Sequence, residues 1–466
     1  MAPHALLIPL PAQGHVNPMM QLAWKLVSHG FLLTFLNSDT NHNRILTANT
    51  PNSFIHDNIQ MISVPVEIPL MDTPEGIENG IEALANDMGP SVIDRVIQEI
   101  NAREEENKVT CIIADVWMCF GLQAVATLHE LPLAAFHTAL VSLFAIRYFS
   151  AHLLSLGILH SDGIPKEDKK TKYLPSMPAL HSGDLPWLWA GEYMFRKGIR
   201  MGEEIKPIKW VLFNSFLEIE APVVETLSKE VGVYPIGPLI PPEFLHSRTT
   251  TKVLPSFWKN DKGCLQWLDK QCAHSVIYIS FGSLAVLSEK QLEELALGVE
   301  ATRRPFLWVV RSDLMKGSQA VLPAGFLDPV RDRGCIVSWA PQLEVLSHPS
   351  IACFVTHCGW NSVQESITMG VPMLCWPYFA DQFLNRTYVV DVWKLGLPLN
   401  ANSQGMIEQE EFVKGVEILL ESEQGLEIRE GARKLKIIAR DAVKDGGSSS
   451  NNFNLFVTAM KRQLNE

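Results

Sequence analysis

The chain has 466 residues, a formal net charge of −12, and 47% hydrophobic and 19% charged residues. That length exceeds what one hydrophobic core ordinarily serves, so two domains are expected, and the acidic surplus argues against nucleic acid or an anionic membrane surface as the main partner. The eight cysteines, at 111, 119, 264, 272, 335, 353, 358 and 375, form no C-x-x-C pair, and several lie in apolar runs; this predicts reduced thiols in a cytoplasmic protein rather than disulfides or zinc ligands.

The N-terminus carries no basic segment, and prolines interrupt its apolar run. Residues 4–10 therefore read as a first strand, not a signal peptide. Asn17 and Pro18 have the chemistry of an N-cap and a first helical residue, predicting a helix from there to Gly30. Residues 31–36 form the next strand. This β-turn-α-β start has no G-x-G-x-x-G, so a dinucleotide cofactor is not supported. His15 falls between the first strand and the helix. Residues 109–114 are a buried-type strand with Asp115 at its end. Strand ends of a parallel sheet share one rim, so Asp115 and His15 can meet there; the alternative for Asp115 is a cap on the next helix.

Residues 131–146 are apolar but too short to span a bilayer, and they hold His137, Thr138 and Ser142. They predict a strand, then a core helix. Residues 161–200 are rich in Pro and Trp and long for a connection, which points to binding. A strand over 210–216 closes the first domain, and the polar, Thr-rich residues 241–262 read as a linker. Residues 276–281 form a strand ending in Gly282-Ser283, a candidate phosphate contact. Ser288 and Gln291 have capping-box spacing ahead of an amphipathic helix to Thr302. Strands over 306–310 and 335–338 lead to Trp339.

Residues 339–382 collect polar groups at strand ends: a strand over 352–356, a turn at His357-Cys358-Gly359, a helix from Trp360 to Gly370, a strand over 373–376 and a polar tip, Asp381-Gln382. The first N–H groups of a helix lack intrahelical partners, and the dipole adds positive charge there. The turn thus suits a phosphate, with His357, Asn361 and Ser362 around it. Glu365, one turn past Asn361 and about 6 Å along the axis, suits ribose hydroxyls, and Trp339 offers a flat face to a base. Capping of a buried helix start is the plainer reading of any one residue; the set together points to a nucleotide. Further helices are expected near 383–394, 408–421 and 426–444, with a last one near Asn451. Asn385-Arg386-Thr387 matches a glycosylation sequon without a secretory signal. No P-loop, H-E-x-x-H or Asp-x-Asp occurs.

WAPQ at 339, HCGWNS at 357, Glu365 and the closing Asp381-Gln382 resemble the signature box of the plant UDP-sugar-dependent family 1 glycosyltransferases. GHVNP, FNSF, FGS, LPAGF and GGSS fall in family order along nearly the whole chain; VQES after HCGWNS departs from the usual TLES or VLES. The resemblance implies an α/β, GT-B architecture: two Rossmann-like domains facing each other across a cleft, residues 1–240 binding acceptor and 263–448 binding UDP-sugar, with a C-terminal helix over about 449–466 packing back on the first.

It further implies His15 as general base oriented by Asp115, and donor contacts from Trp339 and Gln342 (base or ribose), Glu365 (ribose), Ser283, His357, Asn361 and Ser362 (diphosphate) and Trp360, Asp381, Gln382 and Thr138 (sugar). Gln382 resembles glucose users of the family. Trp117, Met118, Phe120, Phe144, Trp187 and Trp189 are candidates for an apolar acceptor wall, with core packing the competing reading of each. No metal or other cofactor is expected, and a monomer is. The implied reaction is inverting transfer of glucose from UDP-glucose to a hydroxyl or carboxyl of a small hydrophobic acceptor such as a flavonoid, terpenoid or phenolic. The alternatives are another UDP-sugar, a sugar-nucleotide binding protein without transfer activity, or a nicotinamide oxidoreductase, against which the absent glycine fingerprint speaks.

Overall fold

A computed structural model describes residues 2–48, 57–66, 74–103, 107–245, 258, 260–311, 314 and 322–462. The chain divides into two compact units, one of Met1–Pro241, Thr249–Trp258 and Asp441–Glu466, the other of Pro242–Arg248 and Lys259–Arg440. Much of the expected linker lies outside the described residues; its first part, Pro242–Leu245, is a helical turn.

Apolar runs without alternation form strands buried on both faces, the mark of a parallel sheet covered by helices. In the first unit the strands are β1 (His4–Ile8), β2 (Leu32–Ser38), β3 (Ile59–Val64), β4 (Cys111–Asp115), β5 (Leu133–His137), β6 (Trp210–Phe213) and β7 (Val233–Pro235), in the order β3-β2-β1-β4-β5-β6-β7, with the edge strands β3 and β7 only partly buried. The strand order reverses between β1 and β4, which pair in parallel with Ile8 opposite Ala114. Such a reversal opens a crevice at the carboxyl ends of the two strands. One face is covered by helix α1 (Gln13–Val27), whose Val16, Met19, Met20, Ala23 and Leu26 pack on Ala5, Leu7, Leu33 and Phe35. The helix Ser448–Arg462 adds Phe453, Phe456, Val457 and Met460 to the same core.

α1 starts at Gln13, with Ala12 as its N-cap, ahead of the expected Asn17. Main-chain bonds from His15 and Val16 to the Ala12 carbonyl close the first turn. Pro18 removes only the N–H that would bond to Gly14, so the turn forms before it. His15 therefore stands on a helix, not on a loop.

The second unit holds β8 (Val276–Ser280), β9 (Phe306–Val309), β10 (Gly334–Val337), β11 (Ile351–Thr356), β12 (Met373–Cys375) and β13 (Gly396–Pro398), in the order β10-β9-β8-β11-β12-β13. Its order reverses between β8 and β11, where Ser280 lies opposite Thr356. The Gly282-Ser283 loop and the His357 turn thus leave neighbouring strands on one edge. Both units are doubly wound Rossmann-like α/β layers, the GT-B components. The Ser288 cap is half of a capping box: its hydroxyl accepts from the Gln291 N–H, while the Gln291 side chain bonds both main-chain groups of Ile407 instead. No described helix is long and apolar enough to cross a membrane.

Candidate active site

At the β1/β4 crevice, His15 Nδ1 donates to Asp115 Oδ2 at 2.7 Å. The other Asp115 oxygen, Oδ1, accepts from the Trp117 N–H at 3.0 Å and caps the turn Val116–Met118. The two readings of Asp115, helix cap and histidine partner, therefore hold together, one per oxygen. Asp115 is 0% exposed, whereas His15 keeps part of its ring at the surface. Thr138 Oγ1, just past β5, lies 3.0 Å from the same Nδ1. With the proton on Nδ1, the lone pair is on Nε2, the nitrogen a base would use.

His137 is buried and packs edge-on to Phe144, with ring centroids 5.6 Å apart. Burial, with the nearby Arg147 cation, pulls its pKa down to about 3. It stays neutral and packs against the Phe144 and Phe213 rings. The next segment is set by a residue with no motif around it. Glu220, buried, accepts from the Val141 and Ser142 N–H groups and from the Ser142 and Ser215 hydroxyls, at 2.6–3.0 Å. Burial raises its pKa against those four bonds.

The acceptor-wall candidates divide. Phe144, 0% exposed, is enclosed by His137, Tyr148 and Phe213, and is core. Trp187, 1% exposed, packs on Phe195 and donates its indole N–H to the Gly163 carbonyl, so it too is core. Met118 is buried. Trp117, Phe120 and Trp189 stay half-buried. Arg147 lies 4.8 Å over the Trp117 ring, and Lys197 4.8 Å over Phe120.

In the second unit, the turn after β11 leads into the helix Trp360–Met369, whose N-cap Gly359 supplies no side-chain bond. The first N–H groups of a helix have no intrahelical partner, which suits this turn to an anion. The His357 ring is wedged between two glycines: a Cβ on Gly282 would sit 2.5 Å from its Cε1, and one on Gly359 2.4 Å from its Nε2. Burial, then the Arg311 cation, lowers the His357 pKa to about 4. At neutral pH it offers a hydrogen bond, not a charge. Ser283 and Asn361 are half-buried beside it.

Glu365 is held by Gln342, whose Nε2 donates to Glu365 Oε2 at 2.7 Å and to Ser362 Oγ at 2.9 Å. Tyr278 donates its hydroxyl to Gln342 Oε1 at 3.2 Å. The Gln342 side chain is thus engaged by three protein groups and orients the carboxylate. Surrounding protein pushes the Glu365 carboxyl up to about 7, the Gln342 bond opposing the shift. Trp339 is half-buried, as a stacking face requires.

Gln382 is buried, and its Oε1 accepts from the N–H groups of Tyr378 and Phe379 at 2.7 and 3.2 Å. Only its Nε2 remains to meet a sugar hydroxyl. The Trp360 side chain is buried against Trp393, so its expected sugar contact narrows to the main chain at the helix start. Asp381 accepts from Asn385 Nδ2 at 2.7 Å, and the same amide donates to the Cys358 carbonyl at 2.8 Å. Cys358 sits at φ +64°, a conformation that needs such fixing outside glycine. Asn385 is 0% exposed, so the sequon is closed to modification in the folded chain, and its amide is part of the site's frame. Among the described residues, no three His, Cys, Asp or Glu side chains gather where they could hold a metal ion.

A family model described as UDP-glucoronosyl and UDP-glucosyl transferase matches residues 256–436. UDP-glycosyltransferase 83A1 of Arabidopsis thaliana is 35% identical over 99% of this chain and 98% of its own length. The chain belongs to the UDP-glycosyltransferase family. It is a glycosyltransferase, similar also to a 7-deoxyloganetin glucosyltransferase of Gardenia jasminoides, 34% identical over 96% of this chain and 95% of that protein. Among solved structures, Phytolacca americana UGT2 in complex with UDP-2fluoro-glucose and pterostilbene covers 99% of this glycosyltransferase and 100% of its own chain, with 26% identity and a TM-score of 0.82.

Proposed function

We propose that the enzyme transfers glucose from UDP-glucose to a hydroxyl, or carboxyl, of a small hydrophobic acceptor, with inversion and without a metal. The observation that carries this is the His15–Asp115 pair at 2.7 Å, with Asp115 buried and its second oxygen fixed by the Trp117 N–H. A proton held on Nδ1 leaves the Nε2 lone pair free to act as a base. Nε2 takes the acceptor hydroxyl proton, and Asp115 stabilises the imidazolium that forms. The oxygen attacks the anomeric carbon from the face opposite UDP; the new C–O bond forms as the bond to the β-phosphate oxygen breaks, and that oxygen leaves with the electron pair. The N-terminus of the helix Trp360–Met369 and the neutral His357 N–H stabilise the departing diphosphate. Glu365 accepts from ribose hydroxyls, and the Gln382 amide donates to the sugar. The glucosyl donor is supported by Gln382, and by the UDP-2fluoro-glucose bound to Phytolacca americana UGT2. Half-buried Trp117, Phe120 and Trp189 supply the apolar surface.

The test incubates the purified enzyme with UDP-glucose, UDP-galactose, UDP-xylose and UDP-glucuronic acid against phenolic, flavonoid and terpenoid alcohols, with products weighed by mass spectrometry. A mass gain of one hexosyl unit, greatest with UDP-glucose and indifferent to EDTA, is expected. UDP-sugar binding with no product from any acceptor would leave a binding protein. Loss of turnover in EDTA, restored by a divalent cation, contradicts the metal-free mechanism.

A further inference from the structure

The proposed chemistry makes no use of a buried guanidinium behind the Ser283 loop. Arg311, just past β9, is 3% exposed. Its Nη1 donates to the Gly282 carbonyl, and its Nη2 to the Ala285 carbonyl at 3.1 Å. These two carbonyls flank Ser283 and Leu284. A trans peptide holds its C=O antiparallel to the next N–H, and the only cis bond among the described residues is Gly237–Pro238. Drawing the Gly282 carbonyl in toward Arg311 therefore turns the Ser283 N–H the opposite way. The Ala285 carbonyl does the same for the Val286 N–H. That opposite side is open: Ser283 is half-buried, and Leu284 and Val286 are exposed. Gly282, at φ +68°, is also the residue against which the His357 ring rests. Guanidinium and imidazole thus meet the same turn, at the β8/β11 switch point.

We propose that Arg311 is a positioning residue for the diphosphate subsite, aiming the Ser283 main-chain N–H and hydroxyl at the phosphate through its grip on the Gly282 and Ala285 carbonyls. This rests on the UDP-sugar reading of the second unit. A planar fork spans two carbonyls where a single ammonium reaches one, so lysine preserves only part of the tether. The role differs from that of a general scaffold residue, because it acts on phosphate recognition and leaves the base and ribose contacts of Trp339 and Glu365 in place.

Calorimetric titration of the full-length enzyme with uridine and with UDP separates the two. Arg311→Gln should keep uridine affinity within about twofold while UDP affinity falls on the order of tenfold or more, with Arg311→Lys between. The KM for the acceptor should not move. An unchanged ratio of UDP to uridine affinity in both variants overturns the inference. Loss of uridine binding in both also overturns it, since Arg311 would then support the whole unit and not the phosphate contact. If the unsubstituted enzyme binds UDP no more tightly than uridine, the diphosphate reading itself fails, before any variant is made, and the inference falls with it.

Discussion

Replacing Asp115 by Asn tests the base with almost no change in shape. In the native site Oδ1 accepts from the Trp117 N–H at 3.0 Å, and Oδ2 accepts from His15 Nδ1 at 2.7 Å. An asparagine has one acceptor and one donor for these two positions. The Trp117 amide cannot give up its proton, but the imidazole can move its own. The variant therefore keeps the turn Val116–Met118 and presents its NH2 to Nδ1, which drives the ring proton to Nε2. Nε2 then has no lone pair for the acceptor hydroxyl. The expected loss in kcat is roughly 10³- to 10⁴-fold, about 4–5.5 kcal/mol of transition-state stabilisation. Initial rates of glucoside formation at saturating UDP-glucose measure it. UDP affinity should stay at the native value, because the residues expected to meet base, ribose and diphosphate all lie in the other unit. A variant that keeps more than about a tenth of native kcat would refute the tautomer argument.

Other consequences concern the donor half. With the Glu365 carboxyl raised to about 7, UDP affinity should fall as pH drops from 8 to 6, because the protonated acid cannot accept from both ribose hydroxyls. Glu365→Gln should flatten that slope in calorimetric titrations. A carboxylate raised above its unfolded value destabilises the empty protein as pH rises from about 4.5 through 7, so Glu365→Gln should also raise Tm at pH 8 without ligand; a lowered Tm counts against the raised carboxyl. Gly359→Ala would set a Cβ 2.4 Å from the His357 ring, which Gly282 also approaches closely. UDP affinity should drop at least about tenfold while circular dichroism stays native; native affinity would mean the ring is not held. Asn385→Ala leaves the Cys358 carbonyl without its amide donor and should cost roughly 1–3 kcal/mol in urea unfolding.

The elements around the His357 turn were legible because their residues are consecutive. Strand, turn, helix and strand over 351–376 follow directly from apolar runs broken at His357-Cys358-Gly359 and Gly370, and the observed bounds differ by a residue at most. Sheet logic allowed His15 and Asp115 to meet, since Asp115 ends β4 and His15 lies in the first turn of the helix after β1, the neighbouring strand; the resemblance gave the pair its roles. Single-residue roles were harder. Gln342 stands where a ligand contact was expected, yet three protein groups engage its amide, and no pattern in the chain predicts that. Glu220, Arg311 and Asn385 bond main-chain groups distant in sequence, and no local motif signals those bonds. Phe144 and Trp187 show the opposite limit: an aromatic next to a site has the same composition signal whether it lines a pocket or fills the core. The α1 boundary was misplaced because Asn17-Pro18 has the local chemistry of a helix start, while main-chain bonds to Ala12 had already begun the helix.

The central claim is that His15 takes the proton from the acceptor while UDP-sugar is held independently. The most direct measurement compares native enzyme with His15→Ala, following UDP binding by calorimetry and glucoside formation by mass spectrometry in the same preparations. The proposed mechanism predicts native UDP affinity with product formation from alcohols lost. Undiminished turnover in His15→Ala would contradict it.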